Sequence, residues 1–185
     1  MIVIVRHGQD EDNAKGILNG HRDLGLTEAG KAQIKSTATQ LLSVHPEVII
    51  TSPLKRAYFS AKIISEYLSC KHLKVCPELI ERDFGCLTGK KIADIPYYCK
   101  QILQFDGVNY FLDAEGSESF PLLLTRAKRV LENLKTTYLS RNIIVVTHGD
   151  LAKMICAAHY NWSWKQGLQT HNIRNGGFIY LEDRS

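Results

Sequence analysis

The chain has 185 residues, of which 44% are hydrophobic and 23% charged, the balance of a soluble fold with a sizeable core. That balance excludes disorder, collagen-like structure and a coiled coil, and no apolar run approaches the ~20 residues needed to span a bilayer. Twenty-three Lys and Arg against nineteen Asp and Glu leave a net charge of +4, which suits a small anionic substrate but is too weak and scattered for nucleic acid.

The first predicted element is a strand over Ile2–Val5, apolar for too short a stretch before Arg6 and His7 to be a signal peptide. Ile34, Ala38, Leu41 and Leu42 then fall at helical spacing in a segment starting near Thr27. A second buried strand is expected at Val48–Ile50. After it, Leu54, Ala57, Ala61, Ile64 and Leu68 form a helical stripe with Pro53 in its first turn. Periodicity is poor from Lys90 to Ser117, with Pro96, Gly107, Gly116 and the exposed-looking aromatics Tyr97, Tyr98, Tyr110 and Phe111. Residues 90–117 are therefore read as an irregular insertion with short helical pieces, a candidate lid or substrate-facing region. A third helical stripe follows at Ala127, Val130, Leu131, Leu134 and Tyr138, then strands at Ile143–Val146 and near Phe178–Leu181. Alternation of short β-branched runs with helical stretches is the mark of an α/β sheet. With no repeat or linker, residues 1–185 read as a single domain.

Three predicted strands end in reactive residues. Ile2–Val5 leads into Arg6-His7-Gly8, Val48–Ile50 into Thr51-Ser52-Pro53 with Arg56 one turn beyond, and Ile143–Val146 into Thr147-His148-Gly149. Ligands of open α/β sheets bind outside the carboxyl ends of the strands. Parallel neighbours would thus bring two histidines and two arginines to one pocket, where glycines 8 and 149 let the backbone approach a ligand. The set suits phosphoryl transfer. Guanidiniums match phosphate oxygens, a neutral imidazole is a competent nucleophile, and a protonated carboxyl could supply the leaving oxygen's proton. Against this stand plainer readings: a core histidine for His7, surface ion pairs for Arg6 and Arg56, a turn or helix cap for Asn13.

Taken together, the motifs resemble the histidine phosphatase superfamily, also called the phosphoglycerate mutase-like family. Arg6-His7-Gly8 with Asn13 resembles its signature, and Gly20-His21-Arg22-Asp23…Leu26-Thr27-Glu28-Ala29-Gly30 the loop before its first helix. Ser52-Pro53-Leu54-Lys55-Arg56-Ala57, Leu79 to Gly85 with Gly89, Gly116 to Ser119, and Thr147-His148-Gly149 resemble its later blocks, and the tail at Asn175-Gly176 is compatible. The resemblance implies a three-layer α/β/α sandwich around a mostly parallel central sheet. It also implies a metal-independent phosphomonoester hydrolase with no cofactor. In it His7 would become a phosphohistidine, and Arg6, Arg56 and His148 would hold the phosphoryl oxygens with Asn13 and Gly149 in support. Glu81 would serve as general acid and base, with Asp83 the competing carboxylate. The expected substrate is a small phosphorylated metabolite.

Three alternatives stand beside hydrolysis: mutase-type phosphoryl transfer between hydroxyls, a non-catalytic module that binds phosphorylated ligands, and a metal-dependent phosphoesterase using His148-Gly149-Asp150, for which the other carboxylate and histidine blocks are missing. A mutase must hold a second phosphate, and the insertion offers Lys90, Lys91 and Lys100 but no arginine and no Arg-Arg pair, although Glu81-Arg82 resembles the mutase branch. Five irregularly spaced cysteines, without CxxC, suggest free thiols in the cytoplasm. His21, His45, His72, His159 and His171 lack metal-ligand spacing and are expected to be surface or packing residues. Gln9 and Asp10 stand where family members often carry an acidic residue and then Ser or Thr. Because negative charge beside a phosphate pocket weakens anion binding, Asp10-Glu11-Asp12 is expected to be a solvated loop. The assembly is expected to be a monomer or homodimer, with no nucleic-acid or membrane partner.

Overall fold

The structure, a computed structural model, describes residues 1–170 and 172–182, so His171 lies outside the described residues. In chain order the elements are β1 (Ile2–Arg6), α1 (Glu11–Lys15), α2 (Glu28–Gln40), β2 (Val48–Thr51), α3 (Lys55–Tyr67) and β3 (Leu73–Val75). They continue with α4 (Ile95–Tyr98), β4 (Ile102–Phe105), β5 (Val108–Phe111), α5 (Phe120–Thr137), β6 (Ile143–Thr147), α6 (Gly149–His159), α7 (Trp164–Leu168) and β7 (Phe178–Leu181).

The central sheet has five strands in the order β3-β2-β6-β1-β7, parallel except for β7, which pairs antiparallel with β1. Successive strand residues point to opposite faces, so one strand feeds two cores. Val3, Val5, Ile49, Ile144 and Val146 pack against Ile34 and Ala38 of α2 and Ala57, Ala61 and Ile64 of α3. Ile4, Val48, Ile50, Ile143 and Val145 meet Ala127, Val130 and Leu131 of α5 and Leu151 and Ile155 of α6 on the other side. The result is a three-layer α/β/α sandwich. Thr27 Oγ1 caps α2 by accepting from Gly30 N at 3.0 Å, and Ser119 caps α5. Pro53 lies outside the first turn of α3, whose N-cap is Leu54.

Two expectations need correction. Residues 90–117 are not merely irregular: β4 and β5 form an antiparallel hairpin, with Phe105 paired to Val108 across Asp106-Gly107. Both turn residues have positive φ, 49° and 73°, as a two-residue turn matching the strands' twist requires. Tyr97 and Tyr98 are exposed, but Tyr110 and Phe111, in β5 itself, are buried in two different clusters of the core. The acidic run is not a solvated loop either. Asp10 and Asp12 are buried and only Glu11 is exposed, because each buried carboxylate faces an arginine, Arg56 and Arg22 respectively.

Candidate active site

The register of the sheet decides the site. Arg6 lies opposite Thr147 and Thr51 opposite Val146, so the turns after β1, β2 and β6 open at one edge. His7 N donates to Thr147 O at 3.0 Å and Ser52 N to Val146 O at 3.0 Å, which stitches the three turns together. His7 and His148 rings stand with centroids 5.0 Å apart.

Each imidazole has its proton placed by a neighbour. His7 Nδ1–H donates to Gly8 O at 2.7 Å, leaving the Nε2 lone pair for chemistry. Ser52 Oγ accepts from Leu54 N at 3.3 Å, so its own proton can go to His148 Nε2, 2.7 Å away. That puts the His148 proton on Nδ1. His148 Nδ1 is buried without a partner, and so is Arg6 Nε. Unpaired buried donors are costly, and here they mark where an anion's oxygens would sit. Burial first, then the charges of Arg56 and Arg6, hold the His7 pKa well below its ordinary value. His148 is shifted the same way by burial, Arg56 and His7. Both rings are neutral near pH 7.

Arg56 meets His7 directly, Nε to Nε2 at 3.3 Å, and its terminal nitrogens donate to Arg22 O and Gly20 O at 2.6 and 2.7 Å. Arg6 is held by Ile173 O at 2.7 Å. Gly149 opens α6 beside Arg6, and a Cβ there would stand in ordinary contact, 3.4 Å, with the Arg6 guanidinium carbon. Asn13 Oδ1 accepts from Asn175 Nδ2 at 2.9 Å, so Asn13 offers its own amide hydrogens to a ligand. Asn13 is not the cap of α1; Asp10 is.

Glu81 is 6% exposed and sits at the N-terminus of α6. Its Oε1 accepts from Arg82 N at 2.8 Å and Leu151 N at 3.3 Å, its Oε2 from Asp150 N at 3.4 Å. Burial, then the nearby Asp150 charge, raise its pKa above the ordinary carboxylate value. The competing Asp83 instead binds Gly85 N, with half its side chain in solvent.

The sequence-predicted residues are brought together, but in two tiers. Arg6, His7, Asn13 and Glu81 line an open cleft of about 150 Å³, with Phe84, Tyr110 and Phe111 on its wall. Arg56 and His148 lie against His7, wholly shielded from solvent. Sequence reasoning missed Ser52's role in setting the His148 tautomer and Asn175's grip on Asn13, and considered Asp150 only as a metal ligand. Arg82, considered only as a likeness to mutases, packs its guanidinium over the Phe111 and Phe120 rings at 4.0 and 4.2 Å while Nε binds Asp150 at 2.7 Å. Spacing carries no signal for the asparagine or the serine; a charge within the acid motif was the available clue for Arg82.

Comparison with known proteins fits this geometry. The model of the histidine phosphatase superfamily (branch 1) matches residues 2–183. Phosphoserine phosphatase 1 of Hydrogenobacter thermophilus is 32% identical over 160 residues, covering 84% of this chain and 74% of that protein. A 2,3-bisphosphoglycerate-dependent phosphoglycerate mutase of Parvibaculum lavamentivorans is 29% identical over 192 residues, 98% of this chain and 90% of that protein. Among solved structures, a mycobacterial glucosyl-3-phosphoglycerate phosphatase in complex with VO3 superposes with a TM-score of 0.81 at 22% identity, covering 96% of this chain and 88% of that one.

Proposed function

The chain belongs to the histidine phosphatase superfamily, and from that premise we propose that it hydrolyses small phosphomonoesters through a covalent phosphohistidine on His7. In this reading His7 Nε2 attacks phosphorus as the bond to the leaving oxygen breaks, and Glu81 gives that oxygen its proton. Glu81, now ionised, takes a proton from water, whose oxygen attacks the phosphohistidine, freeing phosphate and restoring His7. Arg6, Arg56, His148 and Asn13 would meet the charge on the transferring oxygens, which in such reactions is most of catalysis.

One observation carries the reading: two buried, unpartnered donors, Arg6 Nε and His148 Nδ1, flank an imidazole whose Nε2 is kept unprotonated by the Nδ1–H bond to Gly8 O and accepts only from Arg56 Nε. Hydrolysis is favoured over transfer between hydroxyls by the cleft's outer part. A mutase must hold a second phosphate there. Among the described residues lining the cleft, the one guanidinium beyond Arg6 is Arg82, and Asp150 already neutralises it.

Rapid alkaline quench during turnover of an aryl phosphate, followed by peptide mass spectrometry, tests the scheme. The expected result is a base-stable phosphate on His7, with His7→Ala lowering kcat by a factor on the order of 10⁴. Turnover without labelled His7, or a His7→Ala protein of near wild-type rate, overturns it.

A further inference from the structure

Beyond the phosphate-facing groups, the cleft wall is mostly apolar, with Phe84, Tyr110 and Phe111 among its residues and Arg82 and Asp150 lining it as well. Arg82 brings no net charge to a ligand's anion, because Asp150 balances it. Its Nε is bound to Asp150, a terminal nitrogen donates to Glu118 O at 3.3 Å, and its faces are taken by aromatic rings. A carboxylate on the leaving group would therefore enter a partly apolar space where, beyond the phosphate-facing Arg6, the one lining guanidinium is already balanced by Asp150. Taking an ionised carboxylate out of water without a partner is heavily unfavourable.

The same wall holds an unmet donor. Tyr110 is 3% exposed, and its hydroxyl is buried with no hydrogen-bond partner. Burial, then Asp150, push its pKa up, so the phenol stays protonated and can both give and accept. A neutral hydroxyl complements it. At about 150 Å³ the cleft is small beside the ~300–1,000 Å³ of ordinary ligand pockets, which suits a leaving group of a few carbons.

We propose that Tyr110 is a specificity-determining residue, and that the outer cleft takes an uncharged, hydroxylated leaving group of glycerol size while rejecting its carboxylate counterpart. The inference rests on the phosphatase reading above and narrows its substrate class. It separates this chain from relatives named for phosphoserine or phosphoglycerate, whose substrates carry a carboxylate.

Glycerol 1-phosphate and 3-phosphoglycerate test it, since they differ chiefly in a hydroxymethyl group against a carboxylate. The full chain is expected to show a kcat/KM at least tenfold higher for glycerol 1-phosphate. Tyr110→Phe, which removes one oxygen and keeps the ring packing, is expected to narrow that ratio at least fivefold, mainly through KM. Asn109→Ala, on the half-buried face of the hairpin, provides a second variant and is expected to narrow it as well. Equal or better turnover of 3-phosphoglycerate overturns the inference, and so does a ratio that neither variant moves. Hydrolysis of p-nitrophenyl phosphate with neither three-carbon ester turned over overturns the specificity alone. Failure on all three esters, with no phosphate on His7, removes the phosphatase reading and this inference with it.

Discussion

Asp10 Oδ2 lies 3.4 Å from Arg56 Nε, and both side chains are wholly buried. The same oxygen accepts from Asn19 Nδ2 at 2.6 Å, while Oδ1 accepts from Asn13 N at 2.8 Å. Asp10 thus stands behind the arginine, outside the cleft lining, and holds it against His7. Removing one partner of a buried pair typically costs about 3–5 kcal/mol. Asp10→Ala is expected to lose about 3 kcal/mol in denaturant unfolding and at least tenfold in kcat/KM; Asp10→Asn, which keeps the cap on α1, recovers part of the stability. A Asp10→Ala protein of wild-type stability and rate would show that Arg56 is held by Gly20 O and Arg22 O alone.

In the proposed scheme the pH profile follows from two opposite shifts. His7 must be neutral to attack, and its lowered pKa places the acid limb of kcat/KM below the ordinary histidine range. Glu81 must be protonated to serve the leaving oxygen, and its raised pKa places the alkaline limb above the ordinary carboxylate range. Activity therefore falls as pH rises through the Glu81 pKa. Asp150→Asn removes a negative charge that favours the protonated form, so the alkaline limb should move to lower pH. An unmoved limb, or one displaced upward, contradicts the assignment of Glu81.

Arg82 is 1% exposed and stacked on two phenylalanine rings, with Asp150 as its counter-charge. Arg82→Ala empties that sandwich and strips the carboxylate of its partner. The expected loss is about 3 kcal/mol, or roughly 6–12 °C in Tm for a chain of this size. Differential scanning calorimetry reads it, and a shift under 2 °C would mean that the stack contributes little.

The proposed mechanism routes no step through a metal. Dialysis against a chelator is expected to leave kcat unchanged, while vanadate, which mimics a five-coordinate phosphorus, inhibits competitively. Activity lost to the chelator and restored by a single divalent ion would require a different scheme.

Backbone closeness around the nucleophile gives a steric test. A Cβ on Gly30 would fall 2.1 Å from Gln9 O, and one on Gly8 would fall 2.4 Å from Gly30 O. Neither carbonyl can yield without moving the turn that presents His7. Gly30→Ala is expected to cost about 2 kcal/mol or more, with a disproportionate fall in kcat. Unchanged kinetics would show that the turn can move without displacing the imidazole.

Legibility in the sequence tracked how local each cause was. β1, β2, β6 and β7 were readable because each is a short β-branched or apolar run, and their ends placed Arg6, Ser52 and His148 at one edge. β3 was not readable: only three residues long and mostly exposed at the sheet's edge, it has no burial pattern of its own. The β4–β5 hairpin carried a legible sign, Asp106-Gly107 between apolar runs, which the poor periodicity around it obscured. Asp10 was misjudged because its charge could be weighed only against an absent substrate. The arginine that neutralises it arrives from α3, a long-range contact that no spacing announces. The Ser52–His148 and Asn13–Asn175 pairs are of the same kind.

The turn that carries His7 is tied down by a stretch distant from it in sequence. Gly176 N donates to both Arg6 O and His7 O at 3.1 and 3.0 Å, Gly177 O accepts from Arg6 N, and Ile173 O anchors the Arg6 guanidinium. Two sequence-distant stretches thus share one turn. All four parallel strands lie before residue 173, so a sheet formed without the stretch from 173 to 177 would hold the His7 backbone by Thr147 O alone, and full constraint of the imidazole is expected only once that stretch has docked.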